Sequence, residues 1–153
     1  MTGGVSSGGT IIAEFIESNP GNNGLALQDP PQTDPDSVFN TFVDGYWALS
    51  KANGITISGY NLNLTGNGFS AFTITAETRL LTRANYVSDW TNEGTHVSAS
   101  GSTAYRTGLS SLPAEFCFGD DTDCTGPITS SIVGDTDVCT DEEDVIYTVD
   151  NHS

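Results

Sequence analysis

An all-β fold, an antiparallel β-sandwich of immunoglobulin-like or jelly-roll-like type, is what this sequence predicts, on three observations. Short strand-like runs recur along the chain, each bounded by turn-forming residues. Several alternate apolar and polar residues with a period of two. The composition is rich in Gly, Ser, Thr, Asn and Asp, and 36% apolar, which suits a loop-rich β protein better than a helical enzyme.

Taken in order, the expected strands are 10–18 (TIIAEFIES), 44–51 (DGYWALSK), 59–66 (GYNLNLTG), 72–83 (FTITAETRLLTR), 95–100 (THVSAS), 103–107 (TAYRT) and 114–119 (AEFCFG). Turn makers separate them, among them NPGNNG, DPPQTDPD, KANG and TGNG. In GYNLNLTG, Tyr60, Leu62 and Leu64 fall on one face and Asn61, Asn63 and Thr65 on the other, which marks a sheet with one dry face. In TRLLTR the pattern is weaker, because Arg79, Leu81 and Arg83 share a face; an edge or rim position would account for the arginines. A helix over 39–54 is disfavoured by Gly45 at its middle and by the β-branched and aromatic residues around it.

The expected organisation is a spacer or cut edge over 1–9, a sandwich domain over 10–119, an acidic linker over 120–131 and a truncated β module over 132–153. The boundary rests on charge: ten of the twenty acids lie between Asp120 and Asp150, and no Lys or Arg does. Two strands, 132–133 and 145–149, are expected around an acidic turn. They cannot close a core alone, so they should pair with another module or chain by strand addition.

Charge and cysteines bound the function. Twenty acids against Lys51, Arg79, Arg83 and Arg106 leave a formal net charge of −16, which repels nucleic acid and anionic lipid. No run approaches the roughly 18 apolar residues of a membrane-spanning helix, so membrane insertion is not expected. Three cysteines in a chain with one Lys suggest an oxidising compartment, with one pair formed and one thiol left over. Any export signal would lie outside the sequence.

Catalytic constellations are sparse. His96 and His152 have no nucleophile motif beside them, and His96 is expected as an exposed strand residue. Glu77, Asp89, Glu93 and Glu115 are expected as surface acids rather than a paired glycosidase site. Thiolate or imidazole ligation of zinc lacks a second ligand pair, whereas Asp120, Asp121 and Asp123 supply the hard oxygens that calcium takes. Asp135, Asp137, Asp141 and Glu142 do the same, but neither cluster matches the EF-hand pattern, so a solvated acidic linker and no cofactor are expected, with calcium the alternative. Trp47, Trp90 and Tyr105 could stack on sugars, but a sandwich core would also want both tryptophans.

Three stretches carry a resemblance: NPGNNGLAL, then FVDGYWALSKANGITISGYNLNLTGNGF, then TRLLTRAN followed by W, EGTHVSASGSTAYRTGLSSLPAEFCFG. Over roughly residues 10–119 the chain resembles a repeat-type β-sandwich domain of very large Bacteroidetes cell-surface proteins exported by type IX secretion, which include gliding-motility adhesins and filaments. Residues 128–153 (ITSSIVGDTDVCTDEEDVIYTV and the end) resemble the first strands of a PKD-like module.

The resemblance implies a non-catalytic extracellular structural or adhesive module at the cell surface, within a larger chain. Its partners would be other modules of that chain or other proteins, and possible surface glycans; the alternative function is a carbohydrate-binding module using exposed aromatics. By the same resemblance, Cys139 would pair with a cysteine beyond this chain. In the hairpin EFCFGDDTDC, Cys117 and Cys124 are free to meet across a tight acidic turn and are the expected disulfide stapling the last strand.

Overall fold

A computed structural model describes residues 2–29, 38–70 and 72–120, together with the backbone of 132–133 and 148–149. It is all-β, with no helix among the described residues. The chain divides into two compact units, Met1–Asp123 and Cys124–Ser153.

Among the described residues, nine strands make the first unit: β1 Thr2–Ser7, β2 Thr10–Ile16, β3 Asn40–Thr41, β4 Tyr46–Ala52, β5 Thr56–Thr65, β6 Arg79–Arg83, β7 Thr95–Ser100, β8 Thr103–Leu109 and β9 Ala114–Asp120. One antiparallel sheet has the order β1-β5-β8-β7. The other runs β2-β4-β9, with β3 continuing alongside the end of β9 and β6 on its far side.

Residues 1–9 are not a spacer, because Thr2–Ser7 pairs with β5 and adds a strand to the first sheet. The composition hid it: a Gly- and Ser-rich strand has little apolar periodicity to read. The reason for the glycines lies just beyond. β1 and β2 form one ribbon with β5 and β4, and this ribbon folds from one sheet to the other at Gly8–Gly9 and Asn53–Gly54. A Cβ at Gly9 would fall 2.7 Å from Ile55 Cα, so only glycine lets the two corners nest.

The dry face read in β5 is observed: Tyr60, Leu62 and Leu64 are buried and their polar neighbours are not. With Leu49 of β4, Leu80 of β6, Ala104 and Leu109 of β8, and Phe116 and Phe118 of β9, they fill the space between the sheets. Aromatic rings close the upper end of this core, where Phe42 stacks on Phe72 at 4.6 Å and meets Phe118 edge-on.

A second core covers the outer face of the β9 sheet. Val38, Tyr46, Leu81, Trp90 and Cys117 are buried there, with Ile16, Leu25 and Leu27 packed around them. The covering chain is the long segment after β2. It reads as loop in the sequence, yet Leu27 and Val38 bridge, Trp90 N–H donates to Asn23 O, and Thr41 N–H donates to the Asn22 side chain. The strand expected over 72–83 is observed only from Arg79, since 72–78 is turn and irregular chain.

In the second unit, β10 (Ile132–Val133) and β11 (Thr148–Val149) pair antiparallel, Ile132 opposite Val149 and Val133 opposite Thr148. Both lie where strands were expected. The ladder described for them is with each other.

Candidate functional site

The polar groups concentrate on the side of the sandwich where β6 and β7 stand over one another. β6 is entirely buried, arginines included, so an edge strand it is, but an exposed rim it is not. Arg79, Leu81 and Arg83 project to the outer face of the sheet, under the segment 19–29, and each cation meets partners there.

Arg106 comes from the other sheet. It follows Ala104 by two residues in β8 and therefore points between the sheets. Its guanidinium donates to Leu80 O at 3.1 Å and through Nη1 to Asp29 Oδ2 at 2.8 Å, while Nη2 contacts the same carboxylate and, at 3.4 Å, Asn92 O. Arg79 adds a second cation 3.9 Å from Asp29 Oδ2, and donates to Ala76 O and to Glu77. Burial pushes the Asp29 carboxyl up, against the pull of Arg106 and Arg79.

His96 of β7 faces inward beside this group and is buried, which overturns its expected exposure. The strand is observed, and which of its faces is covered depends on the opposite sheet, which has no local signal in the sequence. Burial, then the Arg79 and Arg106 charges, lower its pKa to about 4, so the ring is neutral at pH 7. Its Nδ1 is buried without a hydrogen-bond partner.

Arg83 forms a second cluster. Nε donates to Glu115 at 2.7 Å, Nη1 donates to Pro20 O at 2.9 Å, and the guanidinium lies 4.0 Å from the Trp90 ring centre, with Tyr86 and Tyr46 next nearest. Three aromatic faces around one desolvated guanidinium form a cation–π box closed by the protein's own arginine. Trp90 Nε1–H in turn donates to Gly21 O at 2.8 Å.

Glu93 performs a third task. Its Oε1 accepts from Ser110 N–H, Ser110 Oγ–H and Ser111 N–H, fastening the turn between β8 and β9. Burial raises the Glu93 carboxyl, but these donations outweigh it and hold the group below its ordinary value. A cleft of about 290 Å³ opens alongside, lined by Thr82, Arg83, Ser88, Asp89, Thr91 and Glu93. Asp89 and Glu93 thus share a cleft, but a general acid needs a raised pKa and Glu93 has the opposite. Glu77 and Glu115 are committed to Arg79 and Arg83.

The remaining candidates are dispersed. Cys117 is a free thiol at the centre of the second core, fully buried, with its pKa pushed well up by that burial. Strand alternation puts it there: Phe116 and Phe118 face the main core, so Cys117 faces the outer one. Cys124, the other half of the expected staple, lies outside the described residues, as does Cys139. Asp120 is buried and accepts from Thr78 Oγ1 at 3.3 Å; Asp121 and Asp123 lie outside the described residues. No group of His, Cys, Asp and Glu suited to a metal occurs among the described residues. Trp90 is buried, while Trp47 and Tyr105 are half-buried on different sheets and do not share one platform.

Sequence reasoning missed Asp29, the hub of the charge cluster. No local signal marks it, because its partners lie 50 and 77 residues away. Compared with protein-family models, with curated proteins and with solved structures, the chain matches none.

Proposed function

We propose that this chain is a non-catalytic structural or adhesive module of a larger extracellular, cell-surface protein, working as a rigid sandwich that presents loops. The observation that carries the reading is the use of the arginines. Arg79, Arg83 and Arg106 are all buried, and each ties a distant loop to the sandwich. The groups most capable of chemistry therefore hold the fold, and Lys51 is the one Lys or Arg left for the surface of a chain with twenty acids.

The resemblance to type IX-exported Bacteroidetes surface proteins, of the gliding-motility and filament kind, supports the same reading, as does the PKD-like cast of 128–153. A test is to probe intact producing cells with an antibody to the sandwich. Surface labelling, loss of signal on mild external proteolysis and a band far larger than 16.1 kDa are expected. A protease-protected intracellular band of 16.1 kDa overturns the reading.

A further inference from the structure

We infer that β2 is a docking edge for a second copy of this chain, paired antiparallel across a two-fold axis at Ala13. Five strands border the two sheets, and four are guarded, β3 by being only two residues long. β1 has register shifts at Gly4/Val5 and Val5/Ser7, β7 has one between His96 and Ser98, and β6 is capped by the Thr82–Thr91 bridge. Such irregularities and covers are how sheets avoid edge-to-edge pairing.

β2 has none of them. Its seven residues pair with β4 in unbroken register, from Thr10 opposite Ala52 to Ile16 opposite Tyr46, and no strand among the described residues takes its other edge. It contains no Pro, and its only charge is Glu14. Ile12 is 51% exposed and Phe15 43% exposed, on opposite faces.

The pattern TIIAEFI selects a second copy as the occupant, because it complements itself. An antiparallel two-fold pair puts one residue opposite its own copy. With Ala13 there, all seven residues pair. Ile11 meets Phe15 on the inner face twice, extending the apolar strip that Trp47 and Phe69 begin. Ile12 meets Glu14 on the outer face, which keeps the two carboxylates off the directly opposed position. Centring on Glu14 would oppose them, and centring on Ile12 would lose two pairs. Charge agrees: β2 and β4 carry one acid, Glu14, and one base, Lys51, so this ribbon is neutral in a chain of net charge −16.

This deepens the modular reading by naming a partner, and it is tested apart from it. Sedimentation of the full chain should show a concentration-dependent dimer that Ile12→Glu, which opposes Glu14 of the other copy twice, weakens by about tenfold or more, with the far-UV spectrum and melting temperature retained. In a Cys124→Ser, Cys139→Ser background, Ala13→Cys should cross-link under mild oxidation while Thr10→Cys should not, since only residue 13 meets its own copy. A chain monomeric at all concentrations, a dimer indifferent to Ile12→Glu, or cross-linking at 10 rather than 13 overturns the interface. Surface labelling of cells would be untouched by any of these, so the modular reading stands or falls by its own test.

Discussion

Arg106 and Asp29 meet inside the sandwich, a strand residue and a loop residue 77 positions apart, both buried. The pair joins both sheets, since Arg106 also donates to Leu80 O of β6. Asp29→Ala removes the carboxylate and strands the guanidinium, so a loss of about 3 to 5 kcal/mol is expected in chemical denaturation. Arg106→Met together with Asp29→Leu should cost less than Asp29→Ala alone, because both buried charges leave together. A double variant as unstable as the single one would contradict this account.

Stability should fall as pH drops from about 6.5 towards 4, through His96. Its folded pKa, about 4, is below the unfolded value of 6.5, so the unfolded chain binds the proton first and acid favours unfolding. The contribution is at most about 3 kcal/mol. His96→Gln removes it, so the difference between parent and variant melting temperatures should be constant above pH 6.5 and should shift below it, with the parent losing stability relative to the variant as pH falls to 4. Parallel curves across that range would show that His96 does not titrate in this way.

Cys117 should resist alkylation in the native protein at pH 8 and react fully once denatured without reductant. Its burial and raised pKa deny both access and thiolate. Counting modified cysteines by peptide mass gives the answer directly. Protection that persists in denaturant until reductant is added would mean a disulfide at Cys117.

Gly94→Ala should destabilise the sandwich by more than about 2 kcal/mol, or prevent folding. Gly94 has φ 79°, and a Cβ there would collide with Thr107 O across the β7–β8 ribbon. Gly54→Ala is the comparison: φ is 73° but nothing lies within 4 Å, so only the backbone strain, about 1 kcal/mol, is expected. Equal losses at both positions would count against the collision.

The segments that carry the resemblance turn out to touch. Glu93 and Gly94 of EGTH meet Ser110, Ser111 and Thr107 of RTGLSS, while Trp90 holds Gly21 of NPGNNG. Each stretch was conspicuous because it is rich in Gly, Ser, Trp and Glu at fixed offsets. What each does emerges only from the other, since a carboxylate capping two amides 17 and 18 residues away has no local signature.

By itself the sequence determined the all-β class and the central strands, because period-two burial is written residue by residue into runs such as GYNLNLTG and AEFCFG. It also determined the change of character after Gly119, through charge alone. Tertiary structure decided the rest: that residues 2–7 are strand, that a loop roofs a second core, that three arginines and His96 are inside, and that β2 lies at the end of its sheet. The physical reason is common to all four. Burial of a charge, or pairing of a glycine-rich strand, depends on partners tens of residues away, and no window of neighbouring residues contains them.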